Sequence, residues 1–434
     1  EYLKVIRQEG KYPRGMIETM WPTRAYLTKY DKPTLGQLFS RGEDWRRLRL
    51  FMQKNLLAPM CAREYVPGIR KAAEIASKGA PHMAHDFPNY ASRCSFDLFC
   101  SAFYGRMTKS ADISSDPDPK DLQYCNNVLS SGLLTRELMY SPLEHLLQKI
   151  GLTSFRLQRF YNVMDECAKY SLEIIEDFIQ RAKRGDLNEY EKQSYLHATL
   201  EMLQKEDNDV TEAEMRELLV ILLIAAADTT SSLLSWTVLN LALYPRVQKL
   251  LREELESADD DAITSKNGLP YLHAVIRETY RIRPPIANQI FKEISEDMSI
   301  CGYTVPAGSC VVLSTYGPQN DPDLVDEPQI FFPERWLPEL VAERKGKSEE
   351  VIDHLLCRGP FSAGARMCPG YRVASYEVVA MVAQLVKDWH IELNVGSGDD
   401  YTDSVLTGID DVEYGMGLVI VPDPMPKLKF TPTK

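Results

Sequence analysis

Residues Phe361 to Gly370 read FSAGARMCPG, and the fold is decided there. Cys368 sits in a short loop, with Arg366 two residues before it and Gly370 two after. Gly364 and Gly370 admit backbone angles that a side chain forbids, so the loop can fold back on itself. Such a loop aims a thiolate at a metal and turns backbone N–H groups toward the sulfur. The apolar stretch Val373 to Val386 reads as a helix whose positive end points at the same place. An arbitrary cysteine before a helix is most simply a buried structural residue. The full spacing Phe-x-x-Gly-x-Arg-x-Cys-x-Gly is far more particular than that.

The rest of the composition bounds the answer. A chain of 434 residues holds one large domain or a few ordinary ones. With 44% apolar and 26% charged residues it is globular in type. A net charge of −12 argues against general nucleic-acid binding. The nine cysteines are scattered and show no CxxC or zinc spacing, which points to reduced thiols. The sequence opens at Glu1 inside a helix-like stretch, EYLKVIRQEG. It reads as a fragment whose leader or anchor lies out of view. The longest apolar run, Leu218 to Ala227, is shorter than a bilayer span.

Outward from the cysteine loop, three further patterns carry chemistry. Thr211-x-x-Glu214 is a capping box that opens a helix running to about Tyr244, where Pro245 stops it. That is roughly 33 residues, or about 50 Å. Its middle reads Ala225-Ala226-Ala227-Asp228-Thr229-Thr230. Small residues leave room beside the helix, while an acid and two hydroxyls are costly in a core unless they are satisfied. Either they bond back to the preceding turn or they serve as a proton relay. Leu269-Pro270 opens another helix, which carries Glu278 and Arg281 three apart and is followed by Arg283-Pro284-Pro285. Arg335 follows later in Pro333-Glu334-Arg335. Near the start, Trp45 and Arg49 lie four apart on one helical face, where an indole and a guanidinium suit a carboxylate on a flat macrocycle. Residues 55–210 read as helix after helix. Residues 286–315 and 404–430 alternate like short strands.

Taken together, in this order, these motifs resemble the cytochrome P450 family over nearly the whole chain. The resemblance implies a mainly α fold with minor β. It implies one domain over 1–434 that lacks the family's N-terminal anchor and first strands. It implies haem b, with Cys368 as axial thiolate ligand and Phe361, Gly364, Arg366 and Gly370 shaping its loop. Trp45 and Arg49 would meet a haem propionate, and Ala225 would lie beside the macrocycle. Asp228 and Thr229 would be the acid–alcohol pair of oxygen activation. Glu278, Arg281 and Arg335 would form a buried ion network behind the haem. Ala226 stands where the family usually has Gly. Lys292 stands where it often has a propionate-binding Arg, and a lysine keeps the charge but loses the fork. Pro369 has no N–H, so Gly370 and Tyr371 must supply the donors to sulfur.

The implied activity is insertion of one atom of O2 into a lipophilic, sterol-like substrate. Electrons would come from an external ferredoxin-type donor, or alternatively a flavin reductase. Arg46, Arg47, Lys54, Arg277, Arg344, Lys345, Lys347, Arg358 and Arg372 are candidates for a basic docking face. RQEGKYP and RGEDWRRLR look more like the mitochondrial branch. That branch implies a monomer at the matrix side of the inner membrane with peripheral membrane contact; the alternative is the endoplasmic reticulum. His273 and Arg277 stand where the branch often has two lysines, and Tyr371 where it usually has Arg. Two rival readings are a haem-thiolate isomerase or dehydratase that needs no reductase, and a non-enzymatic haem sensor.

Overall fold

The computed structural model describes the chain apart from residues 11–12, 14–19, 30–41, 206–208, 260–261, 264–267, 287–289, 358, 395–405, 407, 417–418 and 434. The longer helices, with one short one at the N-terminus, are α1 (Tyr2–Arg7), α2 (Trp21–Lys29), α3 (Glu43–Leu57), α4 (Val66–Ser77), α5 (Phe87–Tyr104) and α6 (Pro119–Met139). They continue as α7 (Pro142–Lys149), α8 (Phe155–Arg184), α9 (Glu212–Leu243), α10 (Pro245–Ser257), α11 (Pro270–Ile282) and α12 (Tyr371–Asp388). Strands are short: β1 (Ile290–Glu293), β2 (Met298–Ile300), β3 (Tyr303–Val305), β4 (Cys310–Leu313), β5 (Trp389–Leu393), β6 (Tyr414–Met416), β7 (Ile420–Pro422) and β8 (Leu428–Pro432). Among the described residues they form four antiparallel pairs, β1–β4, β2–β3, β5–β8 and β6–β7. The architecture is mainly α with minor β, as the sequence predicts.

α9 is the axle. Both halves of its capping box form: the Thr211 hydroxyl accepts from Glu214 N–H, and the Glu214 carboxylate accepts from Thr211 N–H at 2.8 Å. Pro245 begins the next helix, so α9 ends at Leu243. It packs against α5, α6, α11 and α12. Leu218, Leu223, Leu234, Trp236 and Leu239 are buried on several of its sides. The Trp236 indole and the Ser232 hydroxyl both donate to Ile420 O, at 3.0 and 2.6 Å, which ties β7 to the axle. Among the described residues, α9 is the helix long and apolar enough to cross a membrane. Yet 69% of its most apolar window is buried inside the protein, so the core accounts for its composition.

A second, smaller apolar cluster holds the N-terminus in place. Val5 of α1 packs with Ile294, Met298, Leu313, Leu356 and Ala363. The Tyr2 hydroxyl donates to Ser314 O at 2.7 Å, and Ser295 donates to Gln8 O at 2.9 Å. α1 is thereby fixed against the β1–β4 and β2–β3 hairpins and against the loop that precedes Cys368. β5 was not legible in sequence. It continues α12 without an intervening turn and finds its partner, β8, near the other end of the described chain.

Candidate active site

The loop before α12 reverses on two residues in the left-handed region, Ser362 (φ 61°) and Gly364 (φ 80°). The reversal lets Cys368 N–H donate to Phe361 O at 2.9 Å. Phe361 itself lies beside Tyr371, ring centres 5.9 Å apart. Gly370 is the N-cap of α12, and its backbone N–H hydrogen-bonds to the Cys368 sulfur. Burial pushes the Cys368 thiol up. The Gly370 N–H and then the Arg49 guanidinium oppose that shift, because both favour the thiolate.

Cations gather around this loop. Trp45 and Arg49, from α3, are both buried. Arg49 donates to Met367 O in the loop. The guanidinium over the Trp45 ring belongs to Arg366, 4.1 Å from the ring centre. Arg366 also donates through Nε and Nη2 to Pro13 O, at 3.0 and 2.7 Å. The spacing on α3 pairs Trp45 with Arg49; the loop instead captures Arg49 and presents its own arginine to the indole. Lys292, on β1, is 3% exposed and donates to Ala363 O at 2.8 Å and to the Glu9 carboxylate. Glu9 also accepts from Ala365 N–H at 2.7 Å. Sequence reasoning did not find Glu9, because no short motif links it to a loop 356 positions away. Arg41, at the start of RGED, lies outside the described residues.

Midway along α9 the burial pattern breaks. Ala225 is exposed and Ala226, Asp228 and Thr229 are half-buried, although Leu223 and Ala227 beside them are buried. An open face of small and polar residues therefore lies in the middle of a core helix. The Asp228 carboxylate rests on Gly132 of α6, where a Cβ would overlap it. Burial raises Asp228 to about 6, against the smaller pull of Arg136. Ser231, Ser235 and Thr237 donate to the preceding turn, at 3.0, 2.8 and 2.7 Å. Among the described residues, the Thr229 hydroxyl makes no such bond. Thr230 faces Glu377 of α12, a buried carboxyl whose Oε1 has no hydrogen-bond partner among the described residues. Burial pushes Glu377 up to about 8, with Thr230 opposing. The sequence reading passed over Glu377 because it lies within an apolar helical run.

The structure brings Glu278, Arg281 and Arg335 together. Glu278 and Arg281 are fully buried and paired twice, at 2.9 Å each. Arg335 Nε reaches Glu278 at 3.4 Å and its Nη1 reaches Glu349 at 2.8 Å. The Trp336 indole donates to Glu278 at 2.8 Å, and Arg281 caps Gln319 O and Pro328 O. Each buried Glu278 oxygen accepts from more than one donor, the condition under which such a network is tolerable. Trp336 and Glu349 were missed from sequence; Trp336 adjoins the Pro333-Glu334-Arg335 motif and was within reach.

Three of the expected docking cations already hold partners within the protein. Arg344 is 3% exposed and forks onto Asp353 at 2.6 and 2.8 Å. Arg277 stacks 3.8 Å from the Trp336 ring centre, and Arg47 pairs with Glu214. Lys54, Lys345 and Lys347 are exposed, Arg46 and Arg372 are half-exposed, and Arg358 lies outside the described residues.

A thiol with a backbone donor, three buried or half-buried cations around its loop, and an open small-residue face on the central helix fit a dianionic macrocycle such as haem. The family comparison agrees. Residues 3–409 match the family described as Cytochrome P450. The cholesterol side-chain cleavage enzyme, mitochondrial, of Hypanus americanus is 24% identical over 99% of this chain and 78% of its own length. The sterol 26-hydroxylase, mitochondrial, of Oryctolagus cuniculus is likewise 24% identical, over 99% of this chain and 78% of its own. The geraniol 8-hydroxylase of Swertia mussotii is 26% identical over 82% of this chain and 70% of its own. The chain belongs to the cytochrome P450 family.

Proposed function

We propose that this cytochrome P450 monooxygenase hydroxylates a sterol- or terpenoid-like lipid, with Cys368 as its iron ligand and a ferredoxin-type protein as its electron donor. The observation that carries the ligand assignment is the Gly370 N–H on the Cys368 sulfur, with Arg49 beside it. Haem, the family's cofactor, supplies oxygen activation when its iron is held by a cysteine thiolate. The residues supply the rest. Gly370 and Arg49 stabilise the thiolate, while Arg49 and Arg366 provide positive charge for the cofactor's carboxylates. Asp228, raised to about 6, holds or releases a proton near neutral pH on the open face of α9. Thr229, next along the helix, presents a hydroxyl not committed to the backbone. Glu278, Arg281 and Arg335 act as scaffold.

The sterol and mitochondrial leaning rests on the names of two relatives. It implies placement at the matrix side of the inner membrane, as one domain and a monomer. A lipid-facing surface supports membrane contact. Leu143, Leu146 and Ile150 on or just after α7, with Leu152 and Phe155 beside them, are all more than half exposed, and Lys149 and Arg156 flank them.

The test is a carbon monoxide difference spectrum of the reduced, haem-loaded protein, then turnover with ferredoxin or flavin reductase over sterols and terpenoids. Loss of the red-shifted Soret band in C368H supports the ligand assignment; its survival refutes it. Hydroxylated product only with the flavin carrier refutes the ferredoxin donor. Peroxide rearrangement without any carrier favours an isomerase, and absence of all turnover favours a sensor.

A further inference from the structure

Glu9 is a buried acid beside the most chemically specific loop of the chain. Its carboxylate takes the Ala365 N–H at 2.7 Å and pairs with Lys292, whose ammonium also holds Ala363 O at 2.8 Å. The side chains of Glu9 and Lys292 are 7% and 2% exposed. Gly364 lies between these two contacts, and a Cβ there would overlap the Glu9 carboxylate. Four residues on, Pro13 O accepts from Arg366 Nε and Nη2. The segment after α1 thus grips the loop at Ala365 and Arg366 and, through Lys292, at Ala363, directly before the sulfur. α1 cannot drift, because Val5 is buried against Ala363 and the hairpins.

The charges also fall into a pattern. Among the described residues, Arg49, Arg366 and Lys292 stand around the loop, and Glu9 is the carboxylate that pairs with Lys292. Without Glu9, Lys292 would be a buried cation with no carboxylate against it, at a large desolvation cost.

Resting on the haem–Cys368 reading, we infer that Glu9 is a positioning residue. It fixes the backbone of the thiolate loop and neutralises Lys292, so that a buried cation beside the loop is compensated by an element far away in sequence. Lys292 is then a partner of the protein's own acid rather than a replacement propionate anchor.

The test uses full-length, haem-loaded protein and the variants E9Q, E9D, K292M and E9Q/K292M. Glutamine keeps an acceptor for Ala365 N–H and removes the charge. The readouts are the ferric/ferrous reduction potential and the rate of haem transfer to excess apomyoglobin, with the reduced carbon monoxide spectrum as control. E9Q should raise the potential, K292M should lower it, and the double variant should return close to wild type. E9D should stay at wild type. E9Q and K292M should each release haem about tenfold faster, because each leaves one buried charge unpaired. A wild-type cysteinate band with unchanged E9Q potential and release overturns this proposal alone. A double variant worse than either single one in both readouts also overturns it, because that marks mere loss of packing. Wild-type protein that lacks the band overturns the ligand reading and this proposal with it.

Discussion

Glu377→Gln is the most informative single change away from the cysteine. Glu377 is 2% exposed, between α12 and α9, and its carboxyl is pushed up to about 8. A carboxyl raised in the folded state keeps a proton that the unfolded chain releases. Stability is therefore greatest at low pH and falls as pH rises from the ordinary carboxyl value of 4.5 through 8. At about 1.4 kcal/mol for each pH step, the full loss is about 5 kcal/mol, of which about 3 kcal/mol has gone by pH 7. An amide has the same shape and does not titrate, so the variant escapes this loss. For 434 residues the unfolding entropy is about 0.9 kcal/mol/K, so about 5 kcal/mol corresponds to about 5 °C in Tm. Differential scanning of haem-loaded wild type and variant between pH 5 and 8.5 measures this. The melting difference in favour of the variant should widen steadily with pH. A difference that does not change with pH, or that reverses at pH 8, refutes the argument that burial controls this group.

Further outcomes follow from the same geometry. Glu278→Ala leaves Arg281 and Arg335 without their buried anion; it should cost about 3–5 kcal/mol, read as protein that purifies without its haem absorbance. Asp228→Asn removes the group raised to about 6; product formed per electron consumed should lose its inflection near pH 6, measured as product against carrier oxidised. Gly132→Ala drives a Cβ into the Asp228 carboxylate; displacement of α6 should cost about 1–3 kcal/mol and weaken the spectral response to substrate. Leu143→Glu with Leu146→Glu should reduce sedimentation with anionic vesicles at least tenfold, while Tm stays nearly constant because both positions are exposed.

What was legible in the chain was local. The capping box at Thr211, Pro245, Pro270 and the glycines of the cysteine loop each act within a turn of themselves, and the elements start and stop where they say. Glu278 and Arg281 were legible as a pair, since three residues of helix bring them side by side. What remained hidden depends on distant partners. Trp45 meets Arg366 because the loop docks on α3, which no spacing on α3 encodes. β5 becomes a strand because β8 lies alongside it. Arg277 and Arg344 read as surface charge in sequence, yet Trp336 and Asp353 draw them inward. Glu9 and Glu377 look like ordinary charges on a line of text. Only the structure surrounds one with the cysteine loop and the other with apolar helix.

The grip of the N-terminal segment on Ala365 and Arg366 joins positions more than 350 apart. A ribosome making this chain would have emitted α1 long before the loop it serves existed. The cysteine loop cannot reach its final shape on a partly made chain, and until then the early helix must wait with Val5 and its neighbours uncovered. Closure of that loop is consequently an event of the finished polypeptide, and contacts of such sequence separation make it a slow one.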